Sequence, residues 1–120
     1  MDALEYLKLL GVSLALLLLV VPESSSSLDS WDFGMLAMSA ARNSEPERAV
    51  SWLLHDLFSF DDVGMPTGGT RVPTPYFPGS GSLLLATAFM AEGWDGSSGP
   101  APGFPRTGWN VRTEGMAKAL

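Results

Sequence analysis

Few side chains in this chain have the chemistry of a reaction centre. There is one histidine, His55, and no cysteine. A histidine-rich metal site within the chain is therefore excluded, as are thiolate metal sites, disulfides and a thiol nucleophile. The missing cysteines leave the redox compartment undetermined. A Ser-His-Asp triad would have to use His55. The remaining candidates lie in or beside the stretch "DDVGMPTGGTRVPTPYFPGSGS", residues 61–82. Asp61 and Asp62 offer carboxyl groups for acid–base work. Arg71 and Tyr76 offer hydrogen-bond donors, and Trp94 offers an indole with an apolar face and a polar edge. The stretch is rich in Gly and Pro and lacks periodicity. Structureless loops beyond about 12–15 residues are uncommon in compact domains and tend to be functional or disordered.

Each candidate also has a plainer reading. Asp61 and Asp62 suit a turn that ends a helix, with both acids solvated. Arg71 can pair with a surface carboxylate, and such exposed pairs are worth little. Tyr76 and Phe77 can pack the loop down, and Trp94 can seal a core. His55 falls beside an apolar helical stripe, where a hydrogen-bonded structural histidine is the commoner case. Ser24–Ser27 has no nucleophile-elbow context. The "TGGT" of Thr67–Thr70 lacks the Lys and helix that a phosphate loop requires, so it reads as a turn.

Three helices must position these residues. "DSWDFGMLAMSAARN" opens on Asp29 or Ser30 as a cap, with Asp32 at the positive end of the helix dipole. Its Trp31, Met35 and Met38 share a face that Leu36 and Ala40 widen. In "NSEPERAVSWLLHDLFSF", Ser44 is the candidate cap and Pro46 fits the first turn. Val50, Leu53, Leu54, Leu57 and Phe58 form an apolar stripe. The turn between these helices is only a few residues long, which predicts an antiparallel αα-hairpin. The third helix is "GSLLLATAFMAEGW", capped by Ser82 and ended by Gly93. It is apolar on nearly every side, so it should be buried all round. Three helices and a loop cannot bury it, which points to a larger body or a partner over residues 82–92. The tail is turn-rich, with one short strand expected in "GWNVRTEG". No internal repeat is present.

The first 28 residues read differently. Leu9–Val21 is an apolar block followed by Pro22 and the Ser24–Ser27 run. As a signal peptide it has a suitable core, but Asp2 and Glu5 offset Lys8. As a membrane span it falls short of the roughly 20 residues a bilayer needs, unless Glu5 and Lys8 are included. A buried helix of a larger fold and a misplaced start codon are the other readings. A boundary at the Ser run divides the chain into a leader, residues 1–28, and one domain, residues 29–120. A real leader implies secretion or membrane association, with membrane contact through residues 9–21.

The ordered set of motifs in the domain resembles a known family. "DSWDFGMLAMSAARNSEPERAVSWLLHDLFSF", then the loop, then "GSGSLLLATAFMAEGWDG", then "APGFPRTGWNVRTEGM", is similar to the C-terminal end of bacterial and fungal six-hairpin glycosidases. These are (α/α)-barrel glycoside hydrolases related to the trehalase, glucoamylase and maltose-phosphorylase groups. The resemblance covers Asp29 to about Leu120, and the order of the motifs carries it more than any one of them. It implies an all-α fold: an αα-hairpin and a buried third helix, forming part of a twelve-helix barrel. It implies a carbohydrate ligand and no cofactor. It also implies that loop 61–82 faces the sugar, with Asp61, Asp62, Arg71 and Tyr76 at the substrate and Trp94 stacking on a ring. Inverting hydrolysis needs two carboxyl groups about 6.5–9.5 Å apart. Adjacent residues are poorly placed for that, so one of Asp61 and Asp62 would need a partner on a further hairpin.

Two functions follow. The first is a truncated glycoside hydrolase-like protein that is inactive alone, since most of the barrel is missing. The second is a small secreted or membrane-anchored helical protein that binds another protein without catalysis. The net charge is −6 and no cluster of Lys and Arg occurs. That composition argues against non-specific binding to nucleic acid or to an anionic membrane.

Overall fold

The computed structural model describes residues 29–68 and 72–120. The leader and Arg71 lie outside the described residues. Three helices follow in order: α1, Ser30–Arg42; α2, Pro46–Leu53; and α3, Pro78–Glu92. Among the described residues there is no named strand, only isolated bridges between Phe60 and Pro66 and between Trp94 and Ala119. The domain is all-α, and the strand expected in residues 108–115 is absent.

The start of α1 follows from its acids. Asp29 is the N-cap, and the Asp32 carboxylate reaches back to accept from the Asp29 amide at 2.7 Å. Such reciprocal capping satisfies donors that the first turn leaves free. At the other end, Asn43 Nδ2 donates to the Ser39 carbonyl at 2.9 Å. The buried face is Phe33, Leu36, Ala37, Ala40 and Ala41. Trp31 and Met35, expected on that face, are exposed, while Met38 packs partly against the core. The alanine ridge decides this, because small side chains let neighbouring helices approach closely.

The second helix is shorter than its pattern suggests. Glu45, not Ser44, is its N-cap, and Ser44 takes a left-handed φ of 61° in the turn from α1. Pro46 occupies the first turn, as expected. The helix stops at Leu53, so His55, Leu57 and Phe58 lie beyond it. His55 Nδ1 accepts from the Leu57 amide at 3.1 Å, and the Phe58 amide donates to the His55 carbonyl at 2.8 Å. These local bonds draw amides away from the helical ladder. Leu54 and Leu57 are left exposed, whereas Phe58 folds back and stacks on Phe33, with ring centroids 5.5 Å apart. His55 stacks on Phe33 at 4.9 Å and on Trp52 at 5.8 Å, a structural role.

The third helix begins earlier than expected, at Pro78, so Ser82 is internal rather than a cap. Its hydroxyl donates to the Trp31 carbonyl at 2.6 Å and accepts from the Gly34 amide at 3.1 Å. This pair of bonds joins α3 to α1. Gly93 ends the helix with φ of 98°, a conformation that favours glycine. Ala86, Phe89 and Met90 enter a core shared with Ala37, Ala40, Ala41, Ala49 and Val50. The helix is not buried all round: Leu84 is 71% exposed and Leu85 58%.

The connection from α2 to α3 runs over residues 54–77, so the stretch 61–82 enters α3 at Pro78, and the connection is organised. Asp61 Oδ1 accepts from the amides of Val63 at 3.1 Å and Met65 at 2.7 Å. Buried Ser30 donates to the Thr67 carbonyl at 2.7 Å, tying the loop to the start of α1. The Tyr76 amide donates to the Pro66 carbonyl at 2.8 Å. No described helix is long and apolar enough to cross a membrane.

Candidate functional site

Among the described residues, a cleft lies between the end of α1 and the segment after α3. The end of α1 and the α1–α2 turn form one wall of it, through Ala41, Arg42, Ser44 and Pro46. The segment after α3 forms the rest, from Trp94 to Val111. Its volume is about 940 Å³, near the upper end of the range for small-ligand pockets.

Local chemistry holds the second wall in place. Gly93 redirects the chain, and Ser97 closes the following turn. The Ser97 hydroxyl donates to the Trp94 carbonyl at 2.6 Å and accepts from the Trp94 amide at 3.0 Å. The Gly103 amide donates to the Met90 carbonyl at 2.9 Å, pinning the wall to α3. Residues near the C-terminus brace it from behind. Ala119 donates to the Gly93 carbonyl at 3.0 Å and accepts from the Asp95 amide at 2.8 Å.

Aromatic rings supply the apolar part of the surface. The half-buried Trp94 indole stacks on Phe89 at 4.9 Å, with 8° between planes. Phe104 and Trp109 meet at 5.2 Å in a tilted pair, and Trp109 is 46% exposed. The polar part comes from Arg42, Asp95, Ser98, Arg106 and Asn110. The Arg42 guanidinium sits 5.8 Å above the Phe89 ring, so Phe89 links Arg42 to Trp94. Rings with free faces beside donors and acceptors can bind a ligand that is apolar on one face and polar at its edge.

Of the five residues singled out in the sequence, four are among the described ones, and of these only Trp94 lines this cleft. Asp61 and Tyr76 belong to the α2–α3 connection, where Asp61 organises a turn. Asp62 is exposed in the same turn, and Arg71 is not among the described residues. Asp95 is the one carboxylate lining the cleft, so the cleft does not itself bring together a pair of acids. Among the described residues, no three acidic, His or Cys side chains cluster as a metal site. Sequence reasoning missed Arg42, Asp95, Arg106, Trp109 and Asn110. The signal for the last four was a loop that holds two tryptophans among glycines and prolines, since loops on a rigid scaffold often carry function. No protein-family model, curated protein or solved structure matches the chain.

Proposed function

We propose that the chain is a carbohydrate-binding piece of a glycosidase-like protein, related by resemblance to the six-hairpin barrels, and that it hydrolyses no glycoside alone. The observation that supports binding is the cleft, which sets the Trp94 and Trp109 indoles beside planar polar groups. A pyranose has an apolar face of C–H groups and a rim of hydroxyls, so indole stacking and bidentate polar side chains suit it. The absence of hydrolysis rests on the carboxylates. Asp61 uses an oxygen within its own turn, and Asp95 lines the cleft without a second acid.

The test has two arms. A panel of aryl glycosides incubated with the full chain should show no turnover above buffer. Titration with oligosaccharides should change tryptophan fluorescence, and Trp109→Ala should remove most of that change. Robust turnover that is lost in Asp61→Asn or Asp62→Asn would overturn the non-catalytic reading.

A second reading is a helical module that binds another protein. The exposed Leu84 and Leu85 on α3 favour it, since adjacent large apolar side chains in water are a feature of interaction surfaces. In both readings, secretion or membrane association depends on whether residues 1–28 act as a leader. N-terminal sequencing of the exported protein decides that.

A further inference from the structure

The charge of the cleft is opposite to that of the chain. The protein carries −6 overall, yet two guanidinium groups, Arg42 and Arg106, line the cleft against one carboxylate, Asp95. Both arginines are exposed. The one ion pair among the described residues is Arg48 with Glu45, so neither cleft arginine pairs with a described acid within 4.0 Å. Arg42 is held instead over the Phe89 ring, which orients the guanidinium without neutralising it. Two guanidinium groups that have no acidic partner among the described residues give this aromatic cleft of an acidic protein a place for an anion. Guanidinium groups favour planar, two-oxygen acceptors.

We infer that the cleft takes an acidic sugar, a uronate, with its ring on Trp94 or Trp109 and its carboxylate at Arg42 and Arg106. This rests on the carbohydrate reading and narrows it. A uronate unites both chemistries of the cleft in one residue: a stackable pyranose face and a planar carboxylate at its edge. Bare phosphate or sulfate would engage the arginines and leave the indoles unused, whereas a neutral sugar would do the reverse.

The experiment follows tryptophan fluorescence of the full chain during titration with trigalacturonate and with its methyl ester, which keeps the rings and removes the charge. The free acid should bind about tenfold more tightly, the worth of one charge-assisted hydrogen bond. Added salt should erode that preference. Arg106→Gln, on an exposed loop, should bring the two affinities together without changing the circular dichroism spectrum. Arg42→Gln should do the same independently. Equal affinities in the unmodified chain would overturn the inference and leave the carbohydrate reading standing. No response to either oligomer would overturn both. Displacement of trigalacturonate by an equal concentration of inorganic phosphate would also overturn the inference, because it would reduce the cleft to a simple anion site.

Discussion

Asp61 and Trp94 show how one residue can look like chemistry in sequence and serve architecture in space. The Asp61 carboxylate accepts two amides of its own turn, so its value is in ordering the chain between α2 and α3. Asp61→Ala should cost about 1 kcal/mol, the usual net worth of such bonds. The measurement is hydrogen exchange, with the Val63 and Met65 amides exchanging faster. Asp61→Asn keeps an acceptor oxygen and should retain most of their protection, and Asp62→Ala should leave both amides unchanged. Trp94 carries both roles, since one face lies on Phe89 while the side chain lines the cleft. Trp94→Ala should lower stability by about 2–3 kcal/mol in urea unfolding, below the 3–5 typical of fully buried aromatics. Trp109→Ala should cost less, about 1 kcal/mol, because the residue is 46% exposed. Trp109 therefore separates binding from folding in a way that Trp94 cannot.

At the scale of elements, the contact between α1 and α3 depends on a missing side chain. A Cβ on Gly34 would fall 2.5 Å from the Ser82 carbonyl oxygen and closer still to its hydroxyl. Gly34→Ala should cost about 1–3 kcal/mol, as overpacking does, measured as a fall in urea midpoint. Adding Ser82→Gly should not restore it, since the carbonyl overlap remains and the hydroxyl's two bonds are lost. This contact also marks the limit of what the sequence reveals. Capping acids, Pro46 and Gly93 act within one turn of chain, and they located the starts of α1 and α2 and the end of α3, but not the start of α3 or the end of α2. The 3.6-residue pattern located apolar faces but could not choose among them. Trp31 and Met35 fit a stripe as well as Phe33 and Ala37 do, and only the partner helix decides which is buried. Leu54 and Leu57 continue the α2 stripe in sequence but leave it in space, because the helix ends at Leu53. The cleft was less legible than the helices. Its walls come from segments 41–46 and 94–111, far apart in the chain, and no local spacing reports that Arg42 and Trp109 share a cavity.

For the whole molecule, the question is what this core can and cannot cover. Small residues dominate it: Ala37, Ala40, Ala41, Ala49 and Ala86 bring three helices together, with Phe89 and Met90 filling the centre. Such a core shields one side of α3 and leaves Leu84 and Leu85 on the other. Their side chains gain little from folding here, while Met90, fully buried, gains about 1.5–3 kcal/mol. In the full chain, Leu84→Gln and Leu85→Gln should therefore each change the unfolding free energy measured in urea by less than about 0.5 kcal/mol, and Met90→Ala should cost about 2–5 kcal/mol. If the apolar face serves association, the same two glutamine variants should lower the tendency to self-associate in sedimentation experiments while leaving the fold intact. A cost above about 1 kcal/mol at both leucines would mean that the chain covers this face itself, and the case for an outside partner on α3 would fall with it.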